Sequence, residues 1–342
     1  AEKGWPTLRV NRCGFPRGST EMVGLITDQG TLGAVADHSS HASVDMLVVP
    51  VEETSVIAQD VSQNHALYNG DSAEVLCGIP DKSIHLSVFS PPFANLYTYS
   101  NSERDLGNSS TNNEFDEHLG FIAEELLRVA VPGRHAMVHV AQIPSQLAKD
   151  GVIGLKDFRG EVIRVFERYG WIFHADFTID KDPQAQAIRT HSKALLFAQL
   201  RKDASWLRPA LADYIVGFRA PGENIVPVIP DLTNDEWIEW ARPVWYGIRE
   251  SDTLNIAVAR SEDDERHICP LQLGTIERCI RLWTNTGETV LDPFAGIGSV
   301  PYEAVRLGRF GIGVELKSEY FRVAVRNVAT AESLRGLGSL FS

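Results

Sequence analysis

The stretch Thr289-Val290-Leu291-Asp292-Pro293-Phe294-Ala295-Gly296-Ile297-Gly298-Ser299 decides the fold. Its first three residues read as a short strand, Asp292 and Pro293 stop it, and Gly296 and Gly298 let the backbone turn tightly before a helix begins. Ser299 is the candidate N-cap, Pro301 is tolerated in the first turn, and Gly308 ends the helix. A strand, a glycine-bearing turn and a helix in that order allow backbone to approach a nucleotide-like ligand closely. The spacing is not the three-glycine dinucleotide fingerprint. One α/β turn later, a strand at 311–314 ends at Glu315, where a carboxylate can accept hydrogen bonds from two ribose hydroxyls.

Working outward, short runs of apolar, β-branched and aromatic residues at 84–89, 135–140, 171–177 and 214–218 predict further strands. Between the first two, Phe115, Leu119, Ile122, Leu126 and Val129 are spaced four, three, four and three, which makes one continuous helical face. Another helix is expected from near Ser318 through Phe321 and Val325. Strands alternating with helices from Ala66 onward predict an α/β protein with a doubly wound, mostly parallel sheet.

The strand at 84–89 runs into Ser90-Pro91-Pro92-Phe93, which puts the tetrapeptide at a strand's carboxyl end, where open α/β sheets bind ligands. Two prolines in a row lack N–H donors and stiffen the backbone, so carbonyls and the Ser90 side chain are presented in a fixed arrangement. Such a turn offers acceptors to an amino group, and the aromatic after it can lie against a planar base drawn out of its stack.

The chain has 342 residues, 44% of them hydrophobic and 23% charged, the composition of a globular protein with one large core. No apolar run is long enough to span a membrane and no secretory leader pattern is present, so a cytoplasmic protein is expected. Cys13, Cys77, Cys269 and Cys279 are too scattered for a disulfide framework or a zinc site and read as reduced structural thiols. Asp37, His38 and His41 lack a fourth ligand, so no metal is assigned. A net charge of −13 argues against a polyanionic partner at long range, whereas Arg189, Arg201, Lys202 and Arg208 can line a local cleft for nucleic acid.

In this order the motifs resemble the amino-group DNA methyltransferases of the permuted, or beta, group, in which the proline-rich catalytic motif precedes the glycine motif. The resemblance covers roughly residues 66–330. It includes Asn69-Gly70-Asp71 followed by Ile79-Pro80-Asp81-Lys82-Ser83-Ile84, and His267-Ile268-Cys269-Pro270-Leu271 as the segment completing the cofactor pocket. It implies a Rossmann-like methyltransferase fold, S-adenosylmethionine as cofactor, and DNA as the partner whose target base is flipped out. Asp292, Phe294, Gly296, Gly298 and Ser299 would surround the methionine part of the cofactor, Glu315 its ribose and Asp71 its adenine, with His267 and Cys269 closing the pocket. Ser90, Pro91, Pro92 and Phe93 would be catalytic. Serine in the first catalytic position tends to accompany N4-cytosine methylation in the family and aspartate N6-adenine methylation, so Ser90 favours cytosine, although both bases present the same N–C–N edge to the same acceptors.

The expected organisation is an N-terminal appendage (1–66), a catalytic half (67–221), a target-recognition insertion lying outside the sheet (222–265), a cofactor-binding half (266–330) and a tail (331–342). Arg242 and Arg249 in the insertion can read guanine edges. The alternatives are an N6-adenine enzyme, an amino-methyltransferase of RNA or protein, and an inactive nucleic-acid-binding domain. A cognate nuclease, a helicase or a larger parent polypeptide would be the further partners.

Overall fold

In this computed structural model the residues described are 56–92, 112–145, 151–152, 154–190, 193–254 and 270–340. In chain order they form β1 (Ala58–Val61), β2 (His65–Asn69), α1 (Ser72–Cys77), β3 (Ile84–Phe89), α2 (Asn112–Val129), β4 (Ala130–Ala141), β5 (Ile143–Ser145), β6 (Gly154–Lys156) and α3 (Phe158–Arg168). There follow β7 (Ile172–Ile179), α4 (Pro183–Thr190), α5 (Phe197–Lys202), β8 (Asp213–Arg219), α6 (Asn234–Trp240), β9 (Val244–Trp245), α7 (Leu273–Trp283), β10 (Thr289–Asp292), α8 (Ser299–Arg306), β11 (Phe310–Glu315) and α9 (Ser318–Leu340).

Nine strands make one sheet in the order β1-β2-β11-β10-β3-β4-β8-β7-β9. The five central strands from β2 to β4 run parallel. β8 runs antiparallel to both β4 and β7, and β1 runs antiparallel to β2. The expected α/β class and mostly parallel sheet are thus what the chain adopts.

Alternation along the strands feeds two cores. Ala136, Val138, Val140, Leu291 and Ile312 face the layer of α1, α2 and α3, and the whole predicted stripe from Phe115 to Val129 is buried in it. Met137, Ile215 and Val290 face the opposite layer with Ile276 and Ile280 of α7 and Val300 and Ala304 of α8. α9 covers the β2 side through Phe321, Ala324 and Val328.

Three expected boundaries move. Residues 58–66, assigned to the appendage, already carry β1 and the start of β2 in the main sheet. Residues 331–340 are no tail but the continuation of α9, with Ala331 buried. Of the stretch 222–265, the described part to residue 254 is not wholly outside the sheet, because β9 pairs with β7 along its edge and Trp245 is buried against α7. Trp240 and Trp245 flank Arg278, while Trp237 stays exposed, so two of the three tryptophans serve the core of the main domain.

Of the cysteines, Cys279 is a free buried thiol, but Cys77 is disulfide-bonded, which corrects the expectation of reduced thiols throughout. Asp37, His38 and His41 lie outside the described residues, and no described helix is long and apolar enough to cross a membrane.

Candidate active site

From the neighbouring pair β3 and β10 the chain winds outward in opposite directions, β3 leading to β4 on one side and β10 to β11 on the other. That reversal of winding opens a crevice at the strands' carboxyl ends. Register places the predicted residues side by side along it. Ser87 of β3 pairs with Leu291, Asp292 with Gly313, and Glu315 with Asn69. Ser90 therefore stands just past β3, Asp292 closes β10, Glu315 closes β11, and Asp71 follows β2.

Side chains lace these ends together. Asn69 donates to the carbonyls of Glu315 (2.8 Å) and Leu316 (3.0 Å) and accepts from Ser318 (2.7 Å). Ser72 donates to the Pro293 carbonyl, tying the β2–α1 turn to the glycine motif. Asp71 caps α1 by accepting from the Ala73 N–H at 2.9 Å. Sequence reasoning missed Asn69 and Ser72 as organisers, although both stand next to or within the motif it quoted.

Two carboxylates dominate the electrostatics. The Asp292 carboxyl is pushed up from its ordinary 3.8 to about 8, chiefly by burial; the Phe294 N–H at 2.8 Å draws it down, and the nearby Glu315 pushes it further up. Glu315 accepts from the Gly296 N–H at 2.8 Å and the Lys317 N–H at 2.7 Å. A buried, disfavoured carboxylate at a strand end is a seat for a cation. S-adenosylmethionine carries an ammonium group for such a seat and a ribose diol suited to a neighbouring carboxylate, so the residues present fit it.

The raised pKa has a measurable consequence. The folded, cofactor-free protein keeps a proton on Asp292 that the unfolded chain has shed between its ordinary 3.8 and about 8. Stability contributed by this group is complete below the lower value and is lost as pH rises through the upper one. The melting temperature of Asp292→Asn, compared with the unsubstituted protein without cofactor, is expected to gain steadily from about pH 5 to about pH 8.5. A difference that does not vary with pH would contradict this assignment.

The two motif glycines have different tasks. Gly298 has φ +83°, and a Cβ there would stand 2.9 Å from the Ala324 Cβ and 3.0 Å from its Cα, so it admits α9 against the turn. Gly296 has φ +54° and open space within 4 Å of where a Cβ would be. Gly298→Ala should destabilise by about 2–5 kcal/mol from left-handed strain plus overpacking, and Gly296→Ala by only about 1–2 kcal/mol. Denaturant titration of the two variants checks the order; equal losses would show that packing against α9 does not distinguish them. Ser299 does not cap α8. Gly298 holds the cap position in a left-handed conformation that serine disfavours, and Ser299 is the first helical residue, buried, with Gly308 past the helix end as expected.

At the catalytic motif, Ser90 is half-buried, Pro91 buried and Pro92 half-buried. The Phe294 ring lies 5.8 Å from that of Phe89, so the glycine motif packs directly on the strand that delivers Ser90. Ser90 Oγ lies 3.2 Å from both the carbonyl oxygen and Nδ1 of His139, a residue of β4 that sequence reasoning placed in a strand without assigning it a role. Phe93, His267 and Cys269 lie outside the described residues.

The model of the DNA methylases acting at N6 and N4 matches residues 84–326, more than half of the chain. The chain belongs to this family of amino-group DNA methylases. Membership makes it a DNA methyltransferase using S-adenosylmethionine. Among similar proteins, the type II methyltransferase M.MjaI of Methanocaldococcus jannaschii is 26% identical over 285 residues, covering 75% of this chain and 88% of that one. M.BglI of Bacillus subtilis is 31% identical over 151 residues, but the match spans 44% of this chain and 37% of the relative.

Solved structures share the methylase fold. TTHA0409 of Thermus thermophilus, complexed with S-adenosyl-L-methionine, has a TM-score of 0.58 at 23% identity, covering 78% of this chain and 95% of that one. The PvuII DNA methyltransferase, cytosine-N4-specific, has a TM-score of 0.56 at 20% identity, covering 80% and 92%.

Proposed function

We propose that this methylase transfers the methyl group to N4 of a cytosine flipped from duplex DNA. The observation that supports it is the adjacency of Ser90 and Asp292 at the carboxyl ends of neighbouring strands, with serine rather than aspartate in the first catalytic position. When bound, S-adenosylmethionine supplies a methyl group made electrophilic by its sulfonium. Asp292 would hold its ammonium group, Glu315 its ribose and Asp71 its adenine.

An exocyclic amine is a weak nucleophile because its lone pair is delocalised into the ring. Acceptors placed out of the ring plane favour a pyramidal nitrogen and concentrate that lone pair. Ser90 Oγ and the Pro91 carbonyl are the acceptors, and the rigid diproline keeps them fixed. Phe93 would stack on the base, and His267 and Cys269 would close the cofactor pocket.

Target recognition would fall chiefly to the basic segment that carries Arg201, Lys202 and Arg208, rather than to the start of the expected insertion 222–265. Residues 227–231 are fastened to Asn285 and Arg309, which precede β10 and β11 at the amino ends of the strands, opposite the catalytic motif. Residues 180–212 instead connect the carboxyl end of β7 to the start of β8, on the catalytic side. They carry exposed Phe197 and Trp206 together with Arg201, Lys202 and Arg208, aromatic and cationic groups suited to bases and phosphates. Arg249, past the carboxyl end of β9, shares this side. Kinship with type II methyltransferases adds a cognate nuclease as the expected biological partner.

The test is to incubate the protein with methyl-labelled cofactor and unmethylated DNA, digest the product to nucleosides and identify the labelled one by mass spectrometry. N4-methylcytosine is expected. N6-methyladenine would keep the site and replace the base, and an unlabelled product despite cofactor binding would favour a non-catalytic DNA-binding role.

A further inference from the structure

Behind Ser90 stands a chain of three polar side chains from three different strands or their ends. His139 of β4 presents Nδ1 to Ser90 Oγ at 3.2 Å. Its Nε2 lies 3.1 Å from Asp213 Oδ2 at the start of β8, off the line of a good hydrogen bond. Asp213 in turn is 2.7 Å from the Lys181 ammonium just past β7, whose side chain is 2% exposed. Antiparallel pairing of β8 with both β4 and β7 brings these residues together, since Ala141 and Ile179 both stand opposite Asp213. A buried Lys–Asp–His set is costly unless its members satisfy one another, and nothing in the cofactor seat requires it.

The hydroxyl of Ser90 has one proton and two acceptors at equal distance, the carbonyl and Nδ1 of His139. The direction it takes decides what Ser90 can offer a target amine. If Nδ1 carries a hydrogen, it occupies a lone pair of Oγ; if Nδ1 is bare, it takes the Ser90 proton and leaves the lone pairs of Oγ free. The far nitrogen selects between them. Burial would raise the Asp213 carboxyl, but His139 and Lys181 outweigh it and hold it down at about 2, so Nε2 faces an anion and keeps its hydrogen. In the neutral tautomer with its hydrogen on Nε2, Nδ1 is bare.

We propose that His139, oriented by Asp213 and Lys181, is a positioning residue that takes the Ser90 hydroxyl proton as its hydrogen-bond acceptor and so turns the Ser90 lone pairs toward the target amine. The inference rests on Ser90 being the acceptor for the target amine.

The geometry distinguishes the two amides that best fill an imidazole's space. Asn puts an acceptor near the Nδ1 position, whereas Gln reaches the Nε2 position and leaves Ser90 only the backbone carbonyl of residue 139, which turns its lone pairs in another direction. With enzyme concentration fixed by cofactor titration, His139→Asn should retain kcat within about fivefold. His139→Gln should lose roughly 30- to 100-fold, with the Kd for S-adenosylmethionine and the KM for DNA unchanged in both. Asp213→Asn should follow the Gln variant, because an amide facing Nε2 can donate and flip the tautomer. Equal activity of the Asn and Gln variants, or the reverse order, overturns the proposal, as does a loss that appears in KM rather than kcat. Ser90→Ala separates this failure from that of the proposed function. A silent Ser90→Ala removes the reading of Ser90 itself, whereas an inactive Ser90→Ala with both His139 variants active removes only the role of His139.

Discussion

Ser90→Ala is expected to lower kcat by about 10²- to 10³-fold while leaving S-adenosylmethionine binding unchanged. That is the range for deleting one pre-aligned polar group that acts mainly in the transition state. The hydroxyl lies at the end of β3, anchored on β4 through His139 rather than on a residue of the glycine motif. Its removal leaves no large cavity, so the fold should be unaffected. Single-turnover methyl transfer to DNA, with cofactor affinity measured separately, checks the prediction. A variant with undiminished single-turnover rate would mean that the Pro91 carbonyl alone suffices and that serine in this position carries no catalytic weight.

Asp292→Asn is expected to have the opposite profile, with the main loss in cofactor affinity. Replacing a buried carboxylate that pairs with an ammonium group by a neutral amide costs about 3 kcal/mol, a factor on the order of 100 in Kd. The same substitution relieves the cofactor-free protein of a carboxyl pushed up to about 8, so it should stabilise the apo form at alkaline pH while weakening the complex. Few structural defects improve stability and impair binding together. Calorimetric titration with S-adenosylmethionine checks the first half, and it should also show cofactor affinity of the unsubstituted protein rising with pH up to about 8, as Asp292 gives up its proton to pair. Affinity independent of both pH and the substitution would place the ammonium group elsewhere.

Most of the central sheet was legible because its strands are short, apolar and punctuated. The runs at 84–89, 135–140, 214–218, 289–291 and 311–314 all fall within observed strands, and the stripe from Phe115 to Val129 is the buried face of α2. What the sequence hid has common physical causes. β2 is five buried residues beginning with His65 and ending with Asn69, so polar ends mask a strand whose hydrogen bonds are all tertiary. β9 is two residues long and exists only because Trp245 packs on α7, a contact no local pattern announces. Composition marks 222–265 as an insertion, but only the winding of the sheet tells which end of the strands its described parts occupy.

The site was legible where chemistry is carried by contiguous motifs and illegible where it is assembled across strands. Ser90, Asp292 and Glu315 each announced themselves by standing at the end of an apolar run, and β3, β10 and β11 bring them to one edge. His139 gave no such signal. It sits within an apolar strand, and its partners Asp213 and Lys181 are far away in sequence, joined to it only by the antiparallel pairing of β8. Gly298 and Ser299 show the converse, residues inside a legible motif whose tasks are packing and helix initiation.

The central claim is that one crevice at the carboxyl ends of β2, β11, β10 and β3 holds both the methyl donor and the target amine. A crystal structure of the protein with S-adenosylmethionine tests it most directly. The account predicts the ammonium group against Asp292, the ribose hydroxyls on Glu315 and the transferable methyl directed at the turn from Ser90 to Pro92. A cofactor whose ammonium group is held by other residues, or whose methyl points away from Ser90, would contradict it.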